Sequence, residues 1–460
     1  MKYKLYGILH KIAKKLLHRN IYSSTYRMIS VLKKNLYVDD TLKIKSQELG
    51  TYINDMSPIP NLLKKEDVFP VENIVATGAF SSFNDSFVFQ RKCRESELGI
   101  NEIQAENIWM EFIENSEIPE GYKNDGLHYA GYILDCEEWC LPSWVWTNAA
   151  LVRMYCFLGK IDMSRKIVDE LIMLQQNCGG WIVRNDYDSE GAIPVLAPND
   201  SAYIANNACL EFYLATSEKK YLDSAEKCAE WIMNTARKDG MVYVGYDMKR
   251  NQWQTKHNIV DVGFTAGLFA RLYEYTGKEK YLSFLKKFTE KYIELFYIPS
   301  SNGFATSLDA NDKQLGGMFG RGQAWALEGL IPASRVLKDD KITTIVQDTI
   351  DNLIKVQDKQ GGWAYNISRP LMGIDCKATS IIACSLMNWY KDHNEQDKLK
   401  FASKKAYQWC LKHTLPDGKG KGGIYSYTIE GAIVHHLYTY TAFVYGSSYA
   451  IELKKMINEG

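Results

Sequence analysis

The chain has 460 residues, of which 46% are hydrophobic, so it can build a large globular core and is neither disordered nor collagen-like. Its 55 Lys and Arg residues balance 55 Asp and Glu residues, which excludes the overall basic charge typical of a nucleic-acid-binding domain. With 30 Tyr, 17 Phe and 11 Trp residues the chain is rich in aromatics, which mostly pack in cores but also form flat surfaces for ligands such as sugars.

The N-terminal segment, 1–20, predicts a basic amphipathic helix. Its apolar residues at helical spacing are Leu5, Leu9, Ile12 and Leu16, and its basic residues, mostly elsewhere around the helix, are Lys4, Lys11, Lys14, Lys15 and Arg19. Such a helix either contacts an anionic membrane peripherally or packs on the main domain with its lysines in water. Because lysines interrupt the apolar stretch, the sequence predicts no signal peptide. It also predicts no membrane span, because no apolar run reaches the length of about 18 residues that a spanning helix needs.

The cysteines indicate the redox compartment. Ten are present, and several lie in apolar helical patterns such as ANNACLEFYL and SIIACSLMNW. This predicts reduced core thiols, which favours the cytoplasm. The pair in CEEWC has no second Cys or His pair nearby, so a zinc site is not favoured.

Two regions follow along the chain. Residues 1–140 predict an irregular N-terminal extension, rich in turns and aromatics, on the outside or one rim of the main domain. Residues 141–460 predict paired amphipathic helices bounded by Gly, Asn or Asp. The first members of the pairs are 144–158, 200–215, 261–275, 321–337, 375–392 and 432–452, and the partners are 162–176, 219–237, 279–295, 340–357 and 396–413.

The pairs form a repeat with a period of roughly 54–61 residues. The first members start at Trp146, Asp200, Asp261, Arg321, Asp375 and His436. First members are apolar almost all round and therefore buried, whereas partners carry a charged face. We therefore predict an all-α fold, an (α/α)6 toroid with an inner and an outer ring. An open solenoid is the competing architecture, but the last helix is too apolar for an end cap.

A second internal repeat consists of the similar segments LIMLQQNCGGWIV and LIKVQDKQGGWAY. Each has Gly-Gly-Trp at the close of a partner helix, at Gly179–Trp181 and Gly361–Trp363.

Parallel inner helices bring their N-termini to one mouth of the barrel, so polar residues at these starts are candidates for a site. They are Trp146, Asn148, Asn199, Asp200, Asp261, Arg321, Gln323, Asp375, His435 and His436. We expect Asp200 and Asp261 to lie within about one sugar ring of each other.

Structural roles compete for most of these residues. Asp200 is also a typical helix N-cap, Asp375 a typical first-turn acid, and the two histidines typical backbone-bonded core residues. Asp261 is harder to explain this way, because it lies between Val260 and Val262, where an unpaired carboxylate is costly. The guanidinium of Arg321 matches either a substrate carboxylate or one of the aspartates.

Several segments resemble the unsaturated glucuronyl and rhamnogalacturonyl hydrolases of glycoside hydrolase families 88 and 105. GRGQAWALEGL resembles their R-G-Q-x-W segment, and GIDCKATSIIACSL resembles their D-S-S-A-x-A-I segment. In the same order lie WTN at Trp146–Asn148, NDSAYIANNACLEF with Asp200, VDVGFTAGLFARLYEYTG with Asp261, EGAIVHHLY, and VYGSSYAIELKK. The resemblance covers residues 141–455.

The resemblance implies an (α/α)6 enzyme that removes a 4,5-unsaturated uronic acid from the non-reducing end of an oligosaccharide by hydrating its double bond. Asp261 would donate and then accept the proton, and Asp200 would be the second carboxylate. The residues expected to bind the sugar are Arg321, Gln323, Trp325, Trp146, Asn148, Asp375 and His436. No metal or organic cofactor is implied.

Two other classes remain open. One is another toroid acting on sugars, such as a uronyl epimerase or lyase of polysaccharide assembly. The other is a non-catalytic scaffold that binds a polysaccharide or a protein, which needs no convergence of Asp200, Asp261 and Arg321.

Overall fold

The computed structural model describes residues 98–120, 124–133, 138–140, 145–188, 191–248, 251–253, 257–315, 317–368, 370, 374–393, 397–424 and 441–459. The predicted basic helix over residues 1–20, His435 and His436 lie outside these ranges.

The described chain is built from two layers of helices. The inner helices are α2 (Trp146–Phe157), α4 (Pro198–Ile204) continued by a π-helical Ala205–Leu210 and α5 (Glu211–Thr216), α7 (Phe264–Thr276), α9 (Gly320–Leu337), α11 (Cys376–Asp392) and α13 (Val444–Glu459). The outer helices are α1 (Ala105–Glu114), α3 (Ile161–Met173), α6 (Lys219–Thr235), α8 (Glu279–Phe296), α10 (Asp340–Val356) and α12 (Asp397–Lys412). The inner helices are almost wholly buried and the outer ones bury a single face, as the sequence patterns predict.

The inner helices close into a ring. Helix α2 packs against α4, α4 against α7, α7 against α9, α9 against α11, α11 against α13, and α13 again against α2. This closed order confirms the (α/α)6 toroid and rules out the open solenoid. It also explains the apolar character of α13, since both of its flanks are covered.

One outer helix comes from the segment expected to be irregular. Helix α1 packs against α13 and buries Trp109, Phe112 and Ile113 on one face. The indole N–H of Trp109 donates to Thr414 Oγ1, 3.0 Å away, just beyond α12. The outer layer of the described chain therefore includes a helix from before residue 141, and this helix covers α13.

The last inner helix is predicted over 432–452, of which residues 432–440 lie outside the described ranges, and the described part differs from this prediction. Residues Thr441–Phe443 form a strand, β12, and the helix runs from Val444 to Glu459. The strand pairs with β1 (Gly131–Ile133), which also pairs with β2 (Glu138–Cys140). Helical periodicity failed here because backbone pairing with a distant segment outweighs a local pattern in a short apolar run.

Every described strand lies in a connection that leads from an outer helix to the next inner helix. The remaining strands are β3 (Ile182–Asp188), β4 (Gly191–Leu196), β5 (Tyr246–Asp247), β6 (Gln252–Trp253), β7 (His257–Ile259), β8 (Tyr297–Ile298), β9 (Gly303–Phe304), β10 (Ser307–Asp309) and β11 (Gln314–Leu315). At the other end, short turns join inner to outer helices, several through left-handed residues such as Ser217, Gly277 and Lys338. The long connections therefore surround the inner-helix N-termini, which is the mouth where the sequence places the candidate site.

The two Gly-Gly-Trp segments have the same structure. The indole N–H groups of Trp181 and Trp363 donate to Leu171 O and Leu353 O, at 2.6 and 2.7 Å, and so cap the preceding outer helices. Their backbone N–H groups donate to a hydroxyl of the next inner helix, Ser201 or Thr379. The repeated Gly-Gly-Trp segment is thus a joint that occurs twice. Each copy ends an outer helix and ties it to the start of the next inner helix.

The thiols of seven cysteines in the described part of the chain form no disulfide bond. Those of Cys209, Cys228, Cys376, Cys384 and Cys410 are buried, as predicted, whereas Cys178 is exposed. None of the helices in the described part of the chain has the length and apolarity to cross a membrane.

Candidate active site

Two aspartates lie at the starts of neighbouring inner helices. Asp200 is in the first turn of α4, whose N-cap is Ala197, so Asp200 is not the predicted N-cap. Asp261 is in a 3₁₀ turn, Val260–Gly263, that leads directly into α7. Asp200 is 7% exposed and Asp261 is 9% exposed. Helix α4 packs against this turn, so the elements that carry the two carboxylates adjoin.

The turn that carries Asp261 is held from two sides. Tyr292 of α8 donates its hydroxyl to Val260 O, 2.9 Å away, and burial together with the charge of Asp261 raises the pKa of this phenol well above its ordinary value. A Cβ at Gly322 would lie 2.5 Å from Val260 Cγ1, so glycine lets α9 approach the turn closely. The Gly in the R-G-Q segment therefore sets Asp261 against the helix that carries Arg321.

Arg321 and Asp375 form a buried ion pair. Arg321 Nε lies 3.1 Å from Asp375 Oδ2, and the side chains are 3% and 0% exposed. Asp375 Oδ1 accepts from the backbone N–H of Lys377, 3.0 Å away, and caps α11. Asp375 is thus a helix cap and a partner for Arg321, and its expected role as a sugar-binding residue stays a prediction.

Aromatic rings surround the guanidinium of Arg321. Its Cζ lies 4.4 Å from the ring centroid of Phe319, 5.6 Å from that of Trp325 and 5.7 Å from that of Tyr365. Cation–π attraction and the ion pair with Asp375 together fix its position. Arg321 is therefore a rigid part of the wall, and its expected contact with a substrate stays a prediction.

Gln323 and Asn148 bind backbone rather than ligand. Gln323 accepts from Phe304 N–H at 2.7 Å and donates to the carbonyls of Phe304 and Phe319. Asn148 accepts from His128 N–H at 2.8 Å and donates to His128 O at 3.2 Å. Through these hydrogen bonds both buried residues anchor loops at the mouth, and their expected roles in sugar binding stay predictions.

Five aromatic side chains form a layer across the barrel. Trp146, Tyr203 and Tyr445 contact one another, with centroid distances of 5.1–6.3 Å. Phe264 contacts both Tyr203 and Trp325, with ring centroids 4.6 and 5.9 Å apart. We call these five residues the aromatic layer. Trp146 is half-buried and Trp325 is buried, so of the two predicted stacking residues Trp146 is more open to a ligand.

Lys377 is a buried cation that the sequence analysis missed. It occupies the first turn of α11, and its Nζ lies 3.4 Å from the ring centroid of Phe443. A buried ammonium at a helix N-terminus opposes the helix dipole and is costly without anionic or aromatic partners. The signal was available, since this lysine stands where the D-S-S-A-x-A-I segment has its second serine.

The described site offers two nearly buried carboxylates on adjacent elements, with fixed cations on the next two inner helices. Such an arrangement suits proton transfer to and from a bound polar molecule, because burial generally raises the pKa of a carboxyl group toward the working pH.

The sequence model of Glycosyl Hydrolase Family 88 matches residues 143–451, which include all of these positions. The chain belongs to glycosyl hydrolase family 88. It is a glycoside hydrolase, as the resemblance of its motifs predicted. No curated protein sequence matches the chain significantly.

Solved structures share the fold of this family 88 chain. An unsaturated glucuronyl hydrolase specific for heparin is 15% identical, with a TM-score of 0.60 over 77% of this chain and 95% of its own. An unsaturated glucuronyl hydrolase from Bacillus sp. GL1 is 14% identical, with a TM-score of 0.53 over 66% and 83%. A sugar epimerase from a ruminal bacterium is 15% identical, with a TM-score of 0.60 over 78% and 98%. At these identities the likeness establishes the toroid and leaves the reaction open.

Proposed function

We propose that this glycoside hydrolase releases a 4,5-unsaturated uronic acid from the non-reducing end of an oligosaccharide by adding water across the double bond. The observation that carries the proposal is the placement of Asp200 and Asp261, nearly buried, on adjoining elements at the mouth of the toroid. The family match and the order of motifs along the chain support the same reaction.

In the proposed reaction Asp261 is the acid and then the base. Its carboxyl group gives a proton to C4 of the double bond, and positive charge develops at C5 and the ring oxygen. Water then adds at C5 and returns a proton to Asp261, so the carboxyl group is regenerated. The hemiketal formed at C5 opens, and the remaining oligosaccharide leaves as an alcohol.

Asp200 fits the second carboxylate. A negative charge near Asp261 favours its protonated form, which the first step requires, and stabilises the positive charge that develops on the sugar. Trp146, half-buried at the mouth, offers an edge or face to the sugar ring. Lys377 supplies positive charge for the uronic acid carboxylate, while Arg321 and Asp375 keep the wall rigid.

The test is the change of Asp261 to Asn, assayed by the loss of the unsaturated chromophore on a panel of disaccharides produced by polysaccharide lyases. Turnover should fall by about 10²–10⁴-fold with little change in substrate affinity, because Asn keeps the shape but neither donates nor accepts the proton. Asp351→Asn, at an exposed ion pair with Lys398 on an outer helix, is the matched control and should leave turnover unchanged.

Two results would reject the proposal. If Asp261→Asn retains near-native turnover, Asp261 is not the proton donor. If the native protein leaves the chromophore of every disaccharide intact, the reaction is not hydration, and an epimerase or a lyase becomes the better hypothesis.

A further inference from the structure

A cavity of about 560 Å³ lies at the end of the barrel opposite the candidate active site. Residues mainly from the central and C-terminal turns of the six inner helices line it, among them Arg153, Asn207, Arg271, Glu328, Asn388 and Glu452. We call this cavity the C-terminal chamber. Its volume is that of an ordinary small-molecule site.

The aromatic layer separates the chamber from the mouth. Phe264, at the first position of α7, belongs to the layer and also lines the chamber. The other members of the layer lie in the N-terminal parts of their helices, on the side of Asp200 and Asp261. The chamber is therefore a compartment distinct from the proposed catalytic site.

An unusual backbone shapes one wall of the chamber. The inner helix changes to π-helical geometry over Ala205–Leu210, a conformation that is rare and often found at functional sites. This stretch places two consecutive amides on the wall, and Asn206 and Asn207 accept from Arg271 and Arg153, each at 3.2 Å. In a regular helix, consecutive side chains diverge by about 100°.

The three arginines that line the chamber already form ion pairs, and Arg335 pairs with Asp392. Arg153 binds Glu328 at 3.1 Å and Glu452 at 3.0 Å. Arg271 binds Glu211 at 2.8 Å. An anionic ligand that binds these arginines would have to break their partly buried ion pairs, whereas a neutral ligand meets fixed donors and acceptors that need no rearrangement.

The chamber also has apolar surface and a buried acceptor oxygen, both of which suit a sugar. Phe157, Leu214 and Ile331 provide apolar surface for the C–H face of a pyranose ring. Glu328 Oε2 is buried and accepts no hydrogen bond from the part of the chain that is described, so it suits a ligand hydroxyl.

We propose that the C-terminal chamber is a second carbohydrate site, which binds a neutral monosaccharide or disaccharide. The proposal does not depend on the reaction at the mouth, because the residues, the helix ends and the compartment are different.

The test is calorimetric titration of the full chain with glucose, galactose, mannose and lactose, and with glucuronate as the charged counterpart. Ala215 lines the chamber and is exposed, so Ala215→Trp should fill it without removing an ion pair. Ser283, exposed on outer helix α8, gives the matched control Ser283→Trp. Asn388→Leu is a second chamber variant. It removes an amide that makes no side-chain hydrogen bond within the described part of the chain.

We expect at least one neutral sugar to bind the native chain and the Ser283→Trp variant equally, and both chamber variants about tenfold or more weakly. We expect glucuronate to bind more weakly than the neutral sugars. The proposal is overturned if no neutral sugar binds the native chain, if both folded chamber variants bind as the native chain does, or if glucuronate binds as tightly.

Discussion

Arg321 and Asp375, which the sequence predicts to bind a ligand, form a buried ion pair that stabilises the fold. Removing Arg321 leaves the Asp375 carboxylate, 0% exposed, without its cation. We therefore expect Arg321→Ala to lower the free energy of unfolding by about 3–5 kcal/mol, measured by urea denaturation.

An exposed pair provides the control for this prediction. Arg165 lies against Glu218 with both side chains 38% exposed, so water solvates whichever charge remains. Arg165→Ala should lower the free energy of unfolding far less than Arg321→Ala does, because exposed ion pairs contribute little to stability. Equal losses for the two variants would mean that burial does not determine the importance of the Arg321–Asp375 pair.

Glu452 gives the fold a pH dependence. Burial raises its pKa to about 7, despite the opposing charge of Arg153. The folded state thus holds this proton more tightly than the unfolded state, so the stabilisation is complete below the ordinary pKa and is lost as the pH rises through about 7.

The free energy of unfolding of the native protein should fall between pH 5 and pH 8. In Glu452→Gln this fall should be smaller by roughly 2–3 kcal/mol, because Gln does not titrate. The measurement is urea denaturation at both pH values. Burial also raises the pKa of Glu328, so part of the dependence should persist in the variant. Identical pH dependences for the two proteins would contradict the assignment to Glu452.

At the scale of elements, the Gly-Gly-Trp joints depend on their first glycine. Gly361 has a φ of +108°, and a Cβ there would lie 2.2 Å from Lys405 O. We expect Gly361→Ala to lower the free energy of unfolding by about 2–4 kcal/mol, because both the backbone conformation and the contact become strained.

Gly418 is the matched control for the joint. Its φ is +75°, and a Cβ there would meet nothing within 4 Å. Gly418→Ala should cost about 1 kcal/mol, the conformational part alone. Gly179→Ala, at the equivalent joint with Lys227 O at 2.4 Å, should resemble Gly361→Ala. If Gly179→Ala instead resembles Gly418→Ala, the two joints are not equivalent.

At the scale of the whole molecule, the basic amphipathic helix over residues 1–20 stays a prediction from sequence. We expect deletion of this segment to leave the toroid folded, with an unchanged midpoint of urea denaturation, and to reduce binding to anionic vesicles, because the helix combines an apolar face with lysines. Sedimentation with phosphatidylserine vesicles measures the difference. Equal sedimentation of the two proteins would favour the alternative hypothesis, that this segment packs on the main domain.

The sequence by itself determined the ring of helices. Periodicity of 3.6 distinguishes helices apolar all round from helices with one charged face, and this difference assigns each helix to the inner or outer layer. The same pattern placed Asp200 and Asp261 at helix starts, because parallel inner helices bring their N-termini together. Family motifs around Asp261 and Arg321 then pointed to a glycoside hydrolase before any contact was known.

Only the tertiary structure showed which distant groups the polar residues at the mouth bind. Gln323, Asn148 and Asp375 belong to motifs of the site, yet their hydrogen bonds are taken up by Phe304, His128 and the start of α11. A one-dimensional pattern shows that a polar residue lies at the mouth but not which distant backbone group satisfies it. The strand β12, the outer position of α1 and the C-terminal chamber depend in the same way on segments far apart in the chain, which no local periodicity records.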